Sequence, residues 1–203
     1  MCVQNSSLIE PKGRRNRESL EWFDSCLARC FIAFSLQPIY LSSYKNYIVA
    51  QKLVARLREK GWYIATAESI TAGYVAGFIA SVAQASQCFR GGIVTYDSWS
   101  KVQLLGLPEE LIRDTDGVSA KVSKLMAEAA RVKFSAHIGV STTGFAGPTG
   151  REIGLIYVGI STVKETRVNQ KKIRAQREDV RLQTSLDAFI LALNTLDSMS
   201  NDI

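Results

Sequence analysis

Trp62-Tyr-Ile-Ala65-Thr-Ala-Glu68-Ser69-Ile70-Thr71-Ala72-Gly73 decides how this chain folds: a short apolar run, Trp62 to Thr66, hands over to a small-residue pattern at helical spacing from Ser69 to Ala83. A strand passing directly into a helix is the building unit of layered α/β domains. Ser69 falls at the junction, beside the N–H groups of a helix start, which lack intrahelical acceptors and favour negative charge. Two readings follow. The hydroxyl caps the helix, which is worth roughly 1 kcal/mol, or it is a nucleophile with the amides of Ile70 and Thr71 placed to hold an oxyanion. Ala65, Ala67, Ala72 and Gly73 are small, which leaves room for a ligand or lets the helix pack closely on a sheet.

On both sides of this junction the pattern alternates. Before it, Tyr47, Ile48, Leu53, Val54 and Leu57 recur at helical spacing, with basic residues and Gly61 as the stop. After it come a strand at Gly92 to Tyr96 and short helices at Ser98 to Leu105 and Pro108 to Arg113, Pro108 suiting a first turn. A longer helix over Ser119 to Phe134 has Ser119 as its cap and Val122, Leu125, Met126 and Ala129 as its stripe. Strands are predicted at His137 to Thr142, Gly154 to Thr162 and Asn169 to Ala175, then a helix over Glu178 to Leu196. Late strands without intervening helices predict a mixed sheet, so the fold class is α/β, a three-layer α/β/α single domain. Residues 46–203 form that domain. Residues 1–45 read as an amino-terminal extension, polar, basic and in part disordered, with a short apolar helix at Cys30 to Leu36 ending near Pro38.

Composition bounds the function. With 203 residues, 46% hydrophobic and 22% charged, the chain has the balance of an ordinary globular domain. The net charge of +6 gathers at Lys12 to Arg17 and Lys164 to Arg181. Such runs are more often solvated faces than polyanion sites, so nucleic-acid binding is the weaker reading. Cys2, Cys26, Cys30 and Cys88 have neither metal-ligand spacing nor the pattern of a disulfide framework, which fits a reducing compartment. The apolar stretch Leu20 to Leu41 is broken by Glu21, Asp24, Arg29 and Pro38, so neither a membrane span nor a cleaved signal is expected, and the expected location is cytoplasmic.

Three further features keep company with Ser69. Tyr96 and Lys101 stand where the strand Gly92 to Tyr96 ends and a helix starts, the place where open α/β sheets put ligand contacts. An aromatic rim residue and a solvated lysine would account for each alone. The single histidine, His137, opens an apolar strand and reads as structural, so lysine with tyrosine is the alternative means of activating a serine. A lysine base must lose its proton near neutrality, a fall of roughly three units or about 4 kcal/mol, which burial can supply. Glu68 either orients a cation or is a solvated acid at a helix start. The loop Thr143 to Gly150 has glycines that can turn amides toward a phosphate, yet it matches no standard nucleotide fingerprint. Arg177 and Arg181, one helical turn apart, either add phosphate contacts or are ordinary surface residues.

Taken together, Ala67-Glu68-Ser69-x-Thr71-x-Gly73, Phe89-x-Gly91-Gly92-x-Val94-x-Tyr96 with Lys101 and Leu105-Gly106, Gly117-Val118-Ser119, Thr143-Gly144-x-Ala146-Gly147-Pro148 and Arg177-x-x-Val180-Arg181 resemble the CinA C-terminal domain family, the nicotinamide-nucleotide amidases, over about residues 46–197. The resemblance implies hydrolysis of the carboxamide of nicotinamide mononucleotide to nicotinic acid mononucleotide and ammonia, in pyridine-nucleotide recycling. It implies Ser69 as nucleophile, Lys101 and Tyr96 managing protons, and Glu68, Ile70, Thr71, Gly144, Ala146, Gly147 and Arg177 around the substrate. It implies no metal and no cofactor, a pyridine nucleotide as the small-molecule partner, and self-association, which Cys30 to Leu36 could assist. Two departures stand out: Ile70 and Ala72 replace the family's usual cysteine and glycine, and Thr149 to Gly154 is a shortened loop. The alternative is a non-catalytic nucleotide-binding or regulatory module, and a weaker third is a polyanion contact through the basic amino-terminal arm.

Overall fold

Apolar residues placed every third or fourth position make the first helix. The computed structural model describes residues 38–149 and 151–199. The chain divides into a unit Met1–Tyr40, of which only 38–40 are described, and a unit Leu41–Ile203. Helix α1 (Pro38–Glu59) buries Ala50, Leu53, Val54 and Leu57, and ends with Arg56 and Arg58 in its last turn, where positive charge suits the helix dipole, and with Gly61 at φ 65°. It begins nine residues before Tyr47, the first apolar residue of the sequence pattern. The predicted helix at Cys30 to Leu36 lies outside the described residues.

The order continues β1 (Ile64–Glu68), α2 (Tyr74–Ala80), a short 3-10 turn (Ala85–Gln87), β2 (Phe89–Val94), α3 (Ser98–Leu105), α4 (Glu109–Thr115), α5 (Ala120–Lys133), β3 (Ile138–Gly144), β4 (Leu155–Ser161), β5 (Thr166–Lys172) and α6 (Arg177–Ser198). The sheet runs β2-β1-β3-β4-β5, with β1 parallel to both neighbours and β4 antiparallel to β3 and β5. It is the mixed sheet expected. Alternation along β1 sends Ile64 into the core that α1, α2 and α6 supply, and Ala67 into a second core made by α3, α4 and α5. The domain is therefore a three-layer α/β/α sandwich.

Register fixes where chemistry can occur. Glu68 pairs with Val94 on β2 and Thr142 on β3, so the three parallel strands end side by side. Ser69, Tyr96 and Gly144 all emerge from that one edge, the position open α/β sheets give to ligands.

One local prediction is corrected. The helix expected from Ser69 starts at Tyr74, and residues 70–73 form a turn in which the Ala72 N–H donates to the Ser69 carbonyl at 3.1 Å. Ala72 has φ 49° and Gly73 φ 98°, two successive left-handed residues that no helix accepts. Ala72 is exposed and carries a methyl group into a conformation that favours glycine. Replacing it, Ala72→Gly, should raise stability by about 0.5–1 kcal/mol, net of the added freedom of the unfolded chain, read as a shift of the urea midpoint at unchanged slope.

Candidate active site

The residue that organises the site is Glu68. Its side chain is 1% exposed, and its two oxygens accept from the amides of Gly73, Val75 and Ala76 at 2.8–3.0 Å and from the Thr71 hydroxyl at 2.7 Å. The carboxyl group thus serves the N–H groups at the start of α2 that a capping serine would have served. Ser69 is free of that duty. It is held by its backbone, whose N–H donates to the Thr142 carbonyl at 2.9 Å. The Ile70 and Thr71 carbonyls are clamped by Arg181, whose Nε and Nη2 donate to them at 3.2 and 3.1 Å, while its guanidinium lies over the Tyr74 ring and pairs with Glu178. Among the described residues the amides of Ile70 and Thr71 have no acceptor.

Lys101 comes from the first turns of α3. Asp97 caps that helix by accepting from the Ser100 amide at 2.8 Å, and hydrogen bonds from Ser100 hold the Asp97 carboxyl below its usual range. The capped helix start turns Lys101 inward. Its Nζ donates to the Thr95 carbonyl at 2.9 Å and the Asp97 carbonyl at 3.4 Å, and lies 3.0 Å from Ser69 Oγ. At 3% exposure the ammonium has lost most of its hydration, and burial brings its pKa from 10.5 down to about 8, with the Asp97 charge pulling weakly the other way. Gly117, at φ 68°, lies against the lysine stem, where a Cβ would come within 3.1 Å of Cδ and Cε. Its carbonyl accepts from the Thr143 hydroxyl at 2.7 Å.

Ser69 and Lys101 open into a cleft of about 250 Å³, whose lining also includes Ile70, Tyr96, Asp116, Gly144, Ala146, Gly147 and Arg177. Gly144 is a close-approach position, since a Cβ there would meet the Leu155 carbonyl oxygen at 2.6 Å. Tyr96 is 55% exposed on the rim, and its hydroxyl accepts from Arg177 Nη2 at 2.6 Å rather than contacting Lys101 or Ser69. Arg177 Nη1 donates to the Gly147 carbonyl at 2.5 Å, so this arginine joins the glycine loop to the end of β2. Glu68 and Thr71 point away from the cleft: Glu68 into the start of α2, and Thr71 toward Thr142, 2.7 Å away. Arg181 lies along the turn. Asp97 is a contributor that the sequence motifs do not include, although the Asp97-x-x-Ser100 spacing is a capping signal; Arg181 and Gly117 stand within the motifs, but nothing in the sequence marks Arg181 as a backbone clamp or Gly117 as a wall of the lysine pocket. Two hollows of about 340 and 550 Å³ along α6 bring no nucleophile beside a base. Among the described residues no His, Cys, Asp and Glu cluster could hold a metal, and no helix is long and apolar enough to cross a membrane.

Comparison with known proteins follows the same outline. The profile of the CinA C-terminal domain matches residues 46–196. A competence-damage inducible protein of Caldanaerobacter subterraneus is 33% identical over 167 residues, 80% of this chain and 40% of that protein. A CinA-like protein of Sulfurihydrogenibium is 40% identical over 149 residues, 71% of this chain and 37% of its own length. The chain thus spans well under half of these relatives. Among solved structures, the competence/damage inducible protein CihA from Agrobacterium tumefaciens superposes with a TM-score of 0.72 at 27% identity, covering 75% of this chain and 96% of that one.

Burying Lys101 leaves a signature in stability. Between about pH 8 and pH 10.5 the unfolded chain holds a proton that the folded chain has released, so stability rises with pH across that window. The rise from this residue is about 3 kcal/mol. Lys101→Met should remove it, seen as a flatter pH dependence of the urea unfolding free energy than that of the unsubstituted chain.

Proposed function

The chain belongs to the CinA C-terminal domain family, and from that premise and the cleft we propose that it is a serine amidase hydrolysing the carboxamide of nicotinamide mononucleotide to nicotinic acid mononucleotide and ammonia. One observation carries the proposal: a buried lysine with a pKa of about 8 stands 3.0 Å from a serine hydroxyl. At pH 7 about a tenth of such lysines are neutral, which is the form that can take a proton.

The steps follow from the positions. Ser69 Oγ forms a bond to the carboxamide carbon as its proton passes to Lys101 Nζ. The oxygen that becomes negative meets the unused amides of Ile70 and Thr71. The carbon–nitrogen bond then breaks, the nitrogen taking the proton from Lys101 and leaving as ammonia. Tyr96, whose oxygen already accepts from Arg177, keeps its own O–H as a donor for the ligand. Water attacks the acyl-serine, giving one proton to Lys101, and collapse returns that proton to Ser69 Oγ and frees the carboxylic acid, which loses its remaining proton to solvent as the carboxylate product. Ala146 and Gly147, whose amides have no acceptor among the described residues, face the nucleotide.

A second reading, binding without turnover, is favoured by Ile70, a branched side chain lining the cleft beside the nucleophile. Ammonia release from nicotinamide mononucleotide separates the two. Ser69→Ala should lower kcat by roughly a thousandfold or more, and kcat/KM of the unsubstituted enzyme should climb about tenfold per pH unit until it levels near pH 8. Turnover unchanged by Ser69→Ala refutes the amidase reading, and calorimetric binding with no ammonia released supports the second.

A further inference from the structure

We propose that Arg151 recognises phosphate at the rim of the cleft, so that the site prefers a pyridine nucleotide over its dephosphorylated nucleoside; this rests on the pyridine-nucleotide reading of the same site. The lead is a carboxylate in an awkward place. Asp116 lines the cleft, and a negative group there would repel a phosphate dianion unless a cation stood beside it. The structure supplies that cation. Arg151, on the shortened segment between Thr149 and Gly154, pairs through Nη2 with the Asp116 carboxylate.

The other cations around the cleft have structural partners. Lys101 faces Ser69. Arg177 uses both terminal nitrogens on Tyr96 and Gly147. Arg181 holds the turn carbonyls. The Arg151–Asp116 pair is different in kind: both side chains are more than half exposed, at 63% and 56%, so the pair adds little to the fold and is open to a ligand. A guanidinium has five N–H donors in a fixed fork, and with one nitrogen on Asp116 the rest can take phosphate oxygens. Asp116 itself sits in a left-handed cap at φ 51°, directly before the Gly117 that packs on Lys101. Arg151 is thereby tethered to the wall of the site.

Calorimetry in a Ser69→Ala background, which holds ligands without turning them over, tests the proposal with nicotinamide mononucleotide and nicotinamide riboside. With Arg151 intact the mononucleotide should bind more tightly, with an affinity that falls as salt rises. Arg151→Gln should weaken the mononucleotide roughly tenfold while the riboside changes less than twofold, and should flatten the salt dependence. Equal losses on both ligands, or none on either, overturn the role of Arg151. If neither compound binds while Arg151 is present and thermal melts show an intact fold, the pyridine-nucleotide reading falls first and takes this proposal with it.

Discussion

A single buried carboxyl group sets the geometry on which the rest depends. Glu68 closes β1 and at once receives the amide hydrogens that open α2, so strand and helix meet through one side chain and not through a backbone cap. That arrangement costs a two-residue left-handed turn at Ala72 and Gly73. In exchange it frees the serine hydroxyl, which would otherwise be spent on an N–H group of the same helix. Arg181 completes the device from the opposite side by fixing the carbonyls of Ile70 and Thr71, which leaves their N–H groups aimed elsewhere.

Against this fixed serine the lysine is set by competing effects. Burial favours the neutral amine, two backbone carbonyls accept from its ammonium form, and the Asp97 charge restrains the loss of the proton. Burial is the larger effect. Asp97 is required regardless, because its cap on α3 aims the lysine inward. One acid therefore both positions the amine and opposes its deprotonation, and the resulting pKa of about 8 lies between that of a free lysine and the neutral pH at which a general base works best.

Much of this was legible in the sequence because it depends on spacing. The amphipathic stripe of α5 with its Ser119 cap, the run of α3 from Ser98 to Leu105, and the mixed sheet implied by two late strands without a helix between them all follow from periodicity and local chemistry. The Ser69 junction was located, but its helix was begun five residues early, because a glutamate that accepts from amides five to eight residues ahead of it leaves no periodic trace. Burial of Lys101 was equally invisible. It depends on Gly117 packing against the lysine stem and on the Thr95 carbonyl just beyond β2 receiving its amine, and neither the turn at Gly117 nor the inward aim of the side chain has a periodic signature. Tyr96 was placed on the right edge, yet its hydroxyl partner is Arg177, 81 positions away in the chain.

The bridge that Arg177 makes between Gly147 and Tyr96 bears on how a ligand would be received. A glycine loop left loose would have to be immobilised at each encounter, and the entropy lost would be subtracted from affinity. Here the loop is already fastened to the end of a strand by a rigid, forked side chain. The recess is thus preorganised, and the energy of each new contact goes into holding the guest instead of shaping its host.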